Sequence, residues 1–256
     1  MKKRVVAIIP ARMAASRFPG KPLAKILDLP MIEHVRRRTL RSDILDEVVV
    51  ATCDQAIIDV VTSYGGKAVM TKDTHLRCTD RVEEAATHID ADIVVIVQGD
   101  EPLFDGTIIN KLVQPLLDDG KLVCTNLLTP ITDQTDVEDV DIVKALMNIH
   151  SHILYFSRAP IPYMRVNGPC PVYRQTGLSA FTKDFLKTFS ALPQTPLEIV
   201  ESVDFLRILE HRYAIYGVVI PTRSIGVDRP DDVGIVEEIL HQDANQKKIY
   251  EEIVNR

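Results

Sequence analysis

The sequence predicts an α/β protein built on a mostly parallel sheet flanked by helices. Three observations carry this. The first half alternates short β-branched apolar runs with amphipathic segments, which is the sequence form of a doubly wound sheet. Its apolar runs, residues 5–9 and 93–97 foremost, are continuous rather than alternating, as in strands buried on both faces. Turn residues such as Pro10 and Gly65-Gly66 punctuate the segments.

Taken in order, residues 5–9 read as the first strand, ended by Pro10, and a polar loop runs to Lys21. Pro30 opens a helix with Met31, Ile32 and Val35 on its apolar side and Arg36, Arg37 and Arg38 on its wet side. Residues 48–51 are a second strand. Asp54 is an N-cap for a helix reaching Tyr64 and stopped by Gly65-Gly66. Residues 67–70 and 93–97 are further strands, and a helix with Ile108, Ile109, Leu112, Val113 and Leu116 on one face follows Asp105 or Thr107. The second half is less regular. Strands are expected at 122–128, 143–147, 153–156, 178–181 and 214–220, a Pro-rich loop at 159–172, and one helix over 197–209. Pro230 and its flanking acids start a C-terminal helix.

The chain has 256 residues, 46% of them hydrophobic and 26% charged, which suits one ordinary globular domain spanning 1–256. An irregular insertion at about 130–175 is expected to serve dimer contact, with lid formation as the alternative. The net charge of −6 argues against a nucleic-acid binder working through bulk charge. No apolar run approaches the ~20 residues that span a bilayer. The apolar stretch after Met1-Lys2-Lys3-Arg4 is too short for a signal-peptide core. A cytoplasmic protein with no membrane partner is the expectation. Cys53, Cys78, Cys124 and Cys170 show no metal-type spacing and read as reduced structural thiols.

In an acidic protein, phosphate-binding cations must be gathered locally. Arg12, Arg17 and Lys21 lie within ten residues at the end of the first strand, where open parallel sheets bind ligands. Ala14, Ala15 and Ser16 between them let a phosphate chain approach backbone amides. The loop is neither a Rossmann nor a Walker loop, because it lacks their glycines and Pro22 follows the lysine. It reads as a triphosphate cradle; a solvated basic loop is the alternative. The strand at 93–97 runs into Gln98-Gly99-Asp100-Glu101-Pro102, where Asp100 is placed to hold magnesium on a phosphate. Asp228, after Gly226, offers a second carboxylate; capping the following helix is its other reading. The seven histidines are scattered, and His75 is a weak candidate.

These residues resemble the 3-deoxy-manno-octulosonate cytidylyltransferases. The resemblance rests on Ile9-Pro10-Ala11-Arg12 with Ser16-Arg17-Phe18-Pro19-Gly20-Lys21-Pro22-Leu23, then Val97-Gln98-Gly99-Asp100-Glu101-Pro102 and Gly226-Val227-Asp228. Landmarks at Ala51-Thr52, Val143-Lys144, residues 154–159, Pro196-Leu197-Glu198 and Leu206-Arg207 fall in order between them. It implies a GT-A-like nucleotidyltransferase fold, a homodimer, and transfer of CMP from CTP to an acidic sugar with Mg2+, for lipopolysaccharide or capsule synthesis. Arg12, Lys21, Asp100 and Asp228 would be catalytic, with Asp100 and Asp228 as the metal ligands. Pro10, Ala11, Arg12, Ser16, Lys21, Arg77, Thr79 and Gln98 would bind the nucleotide. Arg81, Gln98, Tyr155, Arg158, Gln175, Asp204 and Phe205 would bind the sugar.

Three departures from that family's pattern face the ligand. The usual Ser-Gly-Thr-Glu-Arg run is Arg77-Cys78-Thr79-Asp80-Arg81, a His is replaced in Arg174-Gln175-Thr176-Gly177, and a Glu-Gln pair becomes Asp204-Phe205. Lost polar partners change discrimination among hydroxyl patterns, so a modified 3-deoxy-2-ulosonic acid stands beside the ordinary one as acceptor. A neuraminate-type acid, and a nucleotide-binding subunit without turnover, are the remaining alternatives.

Overall fold

Residues 5–11 form a strand whose seven side chains are all buried, and the first layers assemble around it. The computed structural model describes residues 2–14, 17–75, 77–166, 168–221 and 225–255. Its elements are β1 (Val5–Ala11), a 3-10 turn (Lys21–Leu23), β2 (Lys25–Ile26), β3 (Leu29–Pro30), α1 (Met31–Thr39), β4 (Glu47–Thr52), α2 (Gln55–Ser63), β5 (Lys67–Met70), α3 (Cys78–Thr87), β6 (Ile93–Ile96) and α4 (Ile108–Asp118). There follow β7 (Cys124–Pro130), α5 (Gln134–Glu138), β8 (Lys144–Met147), β9 (Ile153–Ser157), β10 (Tyr173–Thr182), α6 (Lys183–Ala191), α7 (Pro196–Glu201), α8 (Phe205–Glu210), β11 (Tyr216–Val219), α9 (Asp231–Gln242) and α10 (Ala244–Val254). The chain divides into two compact units, Met1–Asn110 with Ser224–Arg256, and Lys111–Arg223.

The first unit holds the expected parallel sheet, with strand order β6-β1-β4-β5 and every pairing parallel. β1 continues through Pro10 to Ala11 rather than stopping at the proline, and Pro10 pairs in register with Ala51. The reason is directional. The Ile8 carbonyl accepts from Val97, so residues of that parity point toward β6, whose ladder with β1 ends at Ile8 and Ile96. The missing N–H of Pro10 therefore falls beyond the ladder and costs no strand bond.

The largest departure from the sequence reading is α1. Its three arginines are not solvated: Arg36 and Arg37 are 7% exposed and Arg38 is fully buried. Glu33, one turn earlier and also fully buried, explains two of them. Arg36 donates Nε and Nη2 to the two Glu33 oxygens at 2.7 Å each, and Arg37 Nε donates to Oε2 at 3.0 Å. Arg37 Nη1 also donates to the Ile253 carbonyl at 2.8 Å, covering the C-terminal end of α10. Arg38 Nη1 donates to the Phe104 carbonyl at 3.2 Å. Helices α3, α5, α6 and α10 were not anticipated from the sequence. The single helix expected over 197–209 is two, because Ser202 adopts a left-handed conformation with φ 53°.

In the second unit β7, β10, β8 and β9 pair antiparallel in that order, and β11 adds to β7 in parallel. The described residues of 158–172 carry no helix or strand, as the prolines suggest. Phe156, Phe181, Phe189 and Phe205 form its aromatic core, with ring centroids 5.8–6.3 Å apart.

Two predictions follow from α1. Replacing Glu33 by Ala leaves two buried guanidinium groups uncompensated, so urea denaturation is expected to show a loss of about 3–5 kcal/mol. His34 is fully buried, stacks on Tyr250 and donates Nε2 to the Ile26 carbonyl at 2.8 Å. Protonation would put a second proton on Nδ1, which is buried and has no partner among the described residues. Burial, then the charges of Arg38 and Arg37, lower its pKa from 6.5 to about 4. The unfolded chain takes up this proton near 6.5 and the folded one does not until about 4. Stability therefore falls as pH drops through that window, by roughly 3 kcal/mol in all. His34→Gln should remove this slope between pH 6.5 and 4, read by denaturation at a series of pH values.

Candidate active site

The C-terminal ends of β1 and β6 lie side by side, and the residues after them set the site. Gly99 is required there, since a Cβ would stand 2.9 Å from the Pro10 carbonyl oxygen. The Asp100 carbonyl accepts the Val227 amide at 2.8 Å, which brings the next residue, Asp228, beside Asp100. The carboxylate of Asp232 fixes the Asp228 backbone from the other side. It accepts from the Asp228 and Arg229 amides at 2.7 and 2.8 Å, and these bonds, Arg229 first, hold its carboxyl below the usual carboxylate range.

Lys21 reaches this point from the N-terminal loop. Gly20, at φ 77°, turns the chain left-handed just before the 3-10 turn, a conformation glycine adopts freely. The Lys21 ammonium then donates to Asp100 Oδ2 at 2.7 Å and to the Val227 carbonyl at 2.8 Å, and stands 3.8 Å from Asp228 Oδ1. Arg17 Nη2 donates to Asp228 Oδ1 at 2.8 Å. The inner pair is shielded, the Lys21 side chain being 13% exposed, while Arg17 and Asp228 are both more than half exposed. An exposed pair of that kind contributes at most about 1 kcal/mol and exchanges readily.

Around these groups lies a cavity of about 310 Å³. Pro10, Ala11 and Arg12 line it from β1, Arg17, Phe18, Lys21 and Pro22 from the loop, and Gln98, Gly99 and Asp100 from β6. His75, Arg77, Cys78 and Arg81 line the α3 side, and Asp228 completes the wall. Among the described residues the wall thus presents five cationic side chains (Arg12, Arg17, Lys21, Arg77, Arg81) and two carboxylates (Asp100, Asp228). In a chain of net charge −6 this is a local cationic surplus, the electrostatics a polyphosphate needs.

The cavity gathers Pro10, Ala11, Arg12, Lys21, Arg77, Arg81, Gln98, Asp100 and Asp228 from the sequence-derived set. Thr79 is 4% exposed on α3 and is not part of that wall. Ser16 lies outside the described residues. Arg81 is 3% exposed and donates Nη1 to Thr71 Oγ1 and the Lys72 carbonyl, so it also braces the loop before α3. Cys78 opens α3, and Gln98 Nε2 donates to its Sγ at 3.5 Å. His75, beside them, is hydrogen-bonded through Nε2 to Glu84.

Tyr155, Arg158, Gln175, Asp204 and Phe205 belong to the second unit. Tyr155 and Gln175 are half-buried on β9 and β10. Arg158 donates its guanidinium to the carbonyls of Glu201 and Val140, so its charge serves backbone there. Phe205 is 7% exposed within the aromatic core. The sequence reading missed Gly99 as a contact point, Asp232 as the brace of Asp228, and the cavity-facing Phe18 and Pro22. The signal was there for Asp232, an acid four residues after Asp228 at a helix start.

A cytidylyltransferase family model matches residues 6–217. The chain is 44% identical over 245 residues to a 3-deoxy-manno-octulosonate cytidylyltransferase of Syntrophotalea carbinolica, covering 92% of this chain and 98% of the relative. It is 43% identical over 246 residues to the protein of that name from Syntrophobacter fumaroxidans, covering 94% and 98%. A solved CMP:2-keto-3-deoxy-manno-octonic acid synthetase complexed with CTP superposes with a TM-score of 0.90 at 35% identity, over 94% of this chain and 99% of that one. Cytidylyltransferases of this family use a divalent metal. The residues fit one, because two carboxylates converge on a point where a cation, the Lys21 ammonium, already stands. No group of three or more His, Cys, Asp or Glu placed to hold a metal ion occurs among the described residues, so phosphate oxygens would have to complete the shell, the usual way a small hard cation is held. No described helix is long and apolar enough to cross a membrane. From the family match, the full-length relatives and the cation-lined cavity at the strand ends, this chain belongs to the 3-deoxy-manno-octulosonate cytidylyltransferases.

Proposed function

We propose that this chain transfers CMP from CTP to the anomeric hydroxyl of 3-deoxy-manno-octulosonate, releasing pyrophosphate. One observation carries the reading: five cations and two carboxylates share one cavity at the carboxyl ends of β1 and β6. The names of the relatives supply the base and the sugar. The hydroxyl oxygen attacks the α-phosphorus, and the new O–P bond forms as the bond to the pyrophosphate bridging oxygen breaks. The hydroxyl proton passes to solvent.

Arg12 and Lys21 neutralise the triphosphate, so that an anionic sugar can approach. Asp100 and Asp228 would hold magnesium, which would supply further charge neutralisation on the phosphates when bound. Ser16 belongs to the proposed nucleotide-binding set. Pro10, Ala11 and Gln98 hold nucleotide and sugar against the strand ends, Arg77 and Thr79 serve the cytosine side, and Arg81 approaches the sugar acid. Tyr155, Gln175 and Asp204 are the polar candidates for the acceptor, with Arg158 and Phe205 acting through the shape they maintain. Action in the cytoplasm as a homodimer is part of this reading, and the exposed Ile149, Tyr163 and Val166 of the second unit are its candidate contact residues.

A second acceptor reading rests on Cys78, whose sulfur occupies cavity wall beside Gln98. An acceptor with an amino or deoxy substituent would meet that wall differently from the plain sugar. Comparing kcat/KM for 3-deoxy-manno-octulosonate and such analogues separates the two, and preference for the plain sugar eliminates the second.

For the reaction itself, pyrophosphate release is measured with CTP, UTP or ATP plus the sugar acid. CTP alone should support turnover, and chelating the metal should stop it. Asp100→Asn and Asp228→Asn should each lower kcat/KM by about 10²–10³, the loss typical of removing one preorganised charge-stabilising group. Full turnover in either variant would defeat the proposed site.

A further inference from the structure

We propose that Asp54 is a positioning residue for the cationic loop, acting on CTP binding without touching the nucleotide. Asp54 stands at the N-cap of α2 with φ −113° and ψ 118°. From that conformation an Asp side chain normally reaches the second or third helical amide. Among the described residues it makes no such bond. The third and fourth α2 amides go to its main-chain oxygen, Ile57 at 3.1 Å and Ile58 at 3.3 Å. The carboxylate turns away to the loop, where Oδ2 accepts the Met13 amide at 2.8 Å, 41 residues back in the chain. Cys53 Sγ donates to the same oxygen at 3.5 Å, and the Asp54 amide donates to Thr52 Oγ1 at 3.1 Å, so the end of β4 holds the carboxylate in place.

Met13 is the closing point of the loop. Its carbonyl accepts the Gly20 amide at 2.9 Å, so its N–H is tied to Asp54 and its C=O to Gly20. The two residues flanking this clamp, Arg12 and Lys21, both line the cavity. Asp54 is not part of that lining. The geometry therefore ties the cations at both ends of the loop to half-buried Asp54 at the carboxyl end of β4. A carboxylate is a stronger acceptor for a single amide than a neutral group, and the diverted bond is spent on fixing a ligand loop rather than a helix end.

The proposal rests on the reading of the cavity as the CTP site. Asp54→Ala should raise the KM for CTP about tenfold, the size expected for losing one hydrogen bond to a charged group. The kcat at saturating CTP and the KM for the sugar acid should stay within about twofold. Asp54→Asn keeps the shape and an acceptor oxygen, and should recover most of the affinity. Hydrogen exchange at the Met13 amide should be slow in the wild type and fast in Asp54→Ala. A merely structural role predicts another pattern, a lowered melting temperature with the KM for both substrates moving together, and that pattern overturns the proposal. An unchanged KM for CTP in Asp54→Ala overturns it too. If Asp54→Ala does not fold, Asp54→Asn decides: an exposed, fast-exchanging Met13 amide in the folded wild type, or no recovery of CTP affinity relative to a Met13→Pro control, counts against it. A wild type that turns over no CTP defeats the cavity reading itself.

Discussion

One ammonium group joins the parts of the site. Lys21 donates to Asp100, 79 residues away, and to the Val227 carbonyl, 206 residues away. It thereby holds the N-terminal loop, the end of β6 and the start of the C-terminal segment at one point. The two carboxylates would repel each other without it, and the loop would carry unbalanced positive charge without them. In the proposed reaction a phosphate chain would draw Lys21 from these acids, and Asp100 and Asp228 would then be free to hold a divalent cation. Either exchange alone leaves an uncompensated charge in a partly shielded site, which is costly. On the proposed reading, nucleotide and metal binding would be coupled through the pairings that precede them.

The ion network of α1 works in the opposite sense. Glu33 is fully buried and its two arginine partners nearly so, and Arg37 continues to the end of α10. None of these charges lies on the cavity wall. Shielding makes the Glu33 network unexchangeable, whereas partial exposure makes the Lys21 network a place for substitution. Similar side chains thus serve a fixed scaffold in one place and a replaceable set of contacts in another, and burial decides which.

Much of the first unit was legible in the sequence because the physical signals are local. β-branched runs gave the strands, and Arg12, Arg17 and Lys21 stood out by their density in an acidic chain. Asp100 and Asp228 were found because each follows a glycine near a strand end. The α1 arginines were misread because charge pattern alone suggests a wet face. Their readable partner was Glu33, at spacings of three and four residues, where helical side chains meet. Helix α3 escaped notice because its buried apolar positions, Val82, Ala85 and Ala86, are few and small among polar neighbours, two of them, Thr79 and Arg81, buried as well. The break between α7 and α8 depends on a single left-handed serine, which no hydrophobic period reports.

What the sequence conveyed least were the groups that position others. Gly99 matters for the side chain it lacks, since a Cβ there would strike the Pro10 carbonyl. Asp232 matters through two amides of the segment that carries Asp228. Asp54 occupies a helix-cap position, and only the three-dimensional path of Met13 discloses where its carboxylate goes. Each acts on a backbone peptide rather than on a ligand. A peptide can be held within a few tenths of an ångström by one hydrogen bond, whereas a long arginine or lysine side chain cannot fix its own base. Cations on flexible stems therefore gain their precision from carboxylates and glycines set beneath them, and that supporting layer is where tolerance to substitution should be smallest outside the cavity wall.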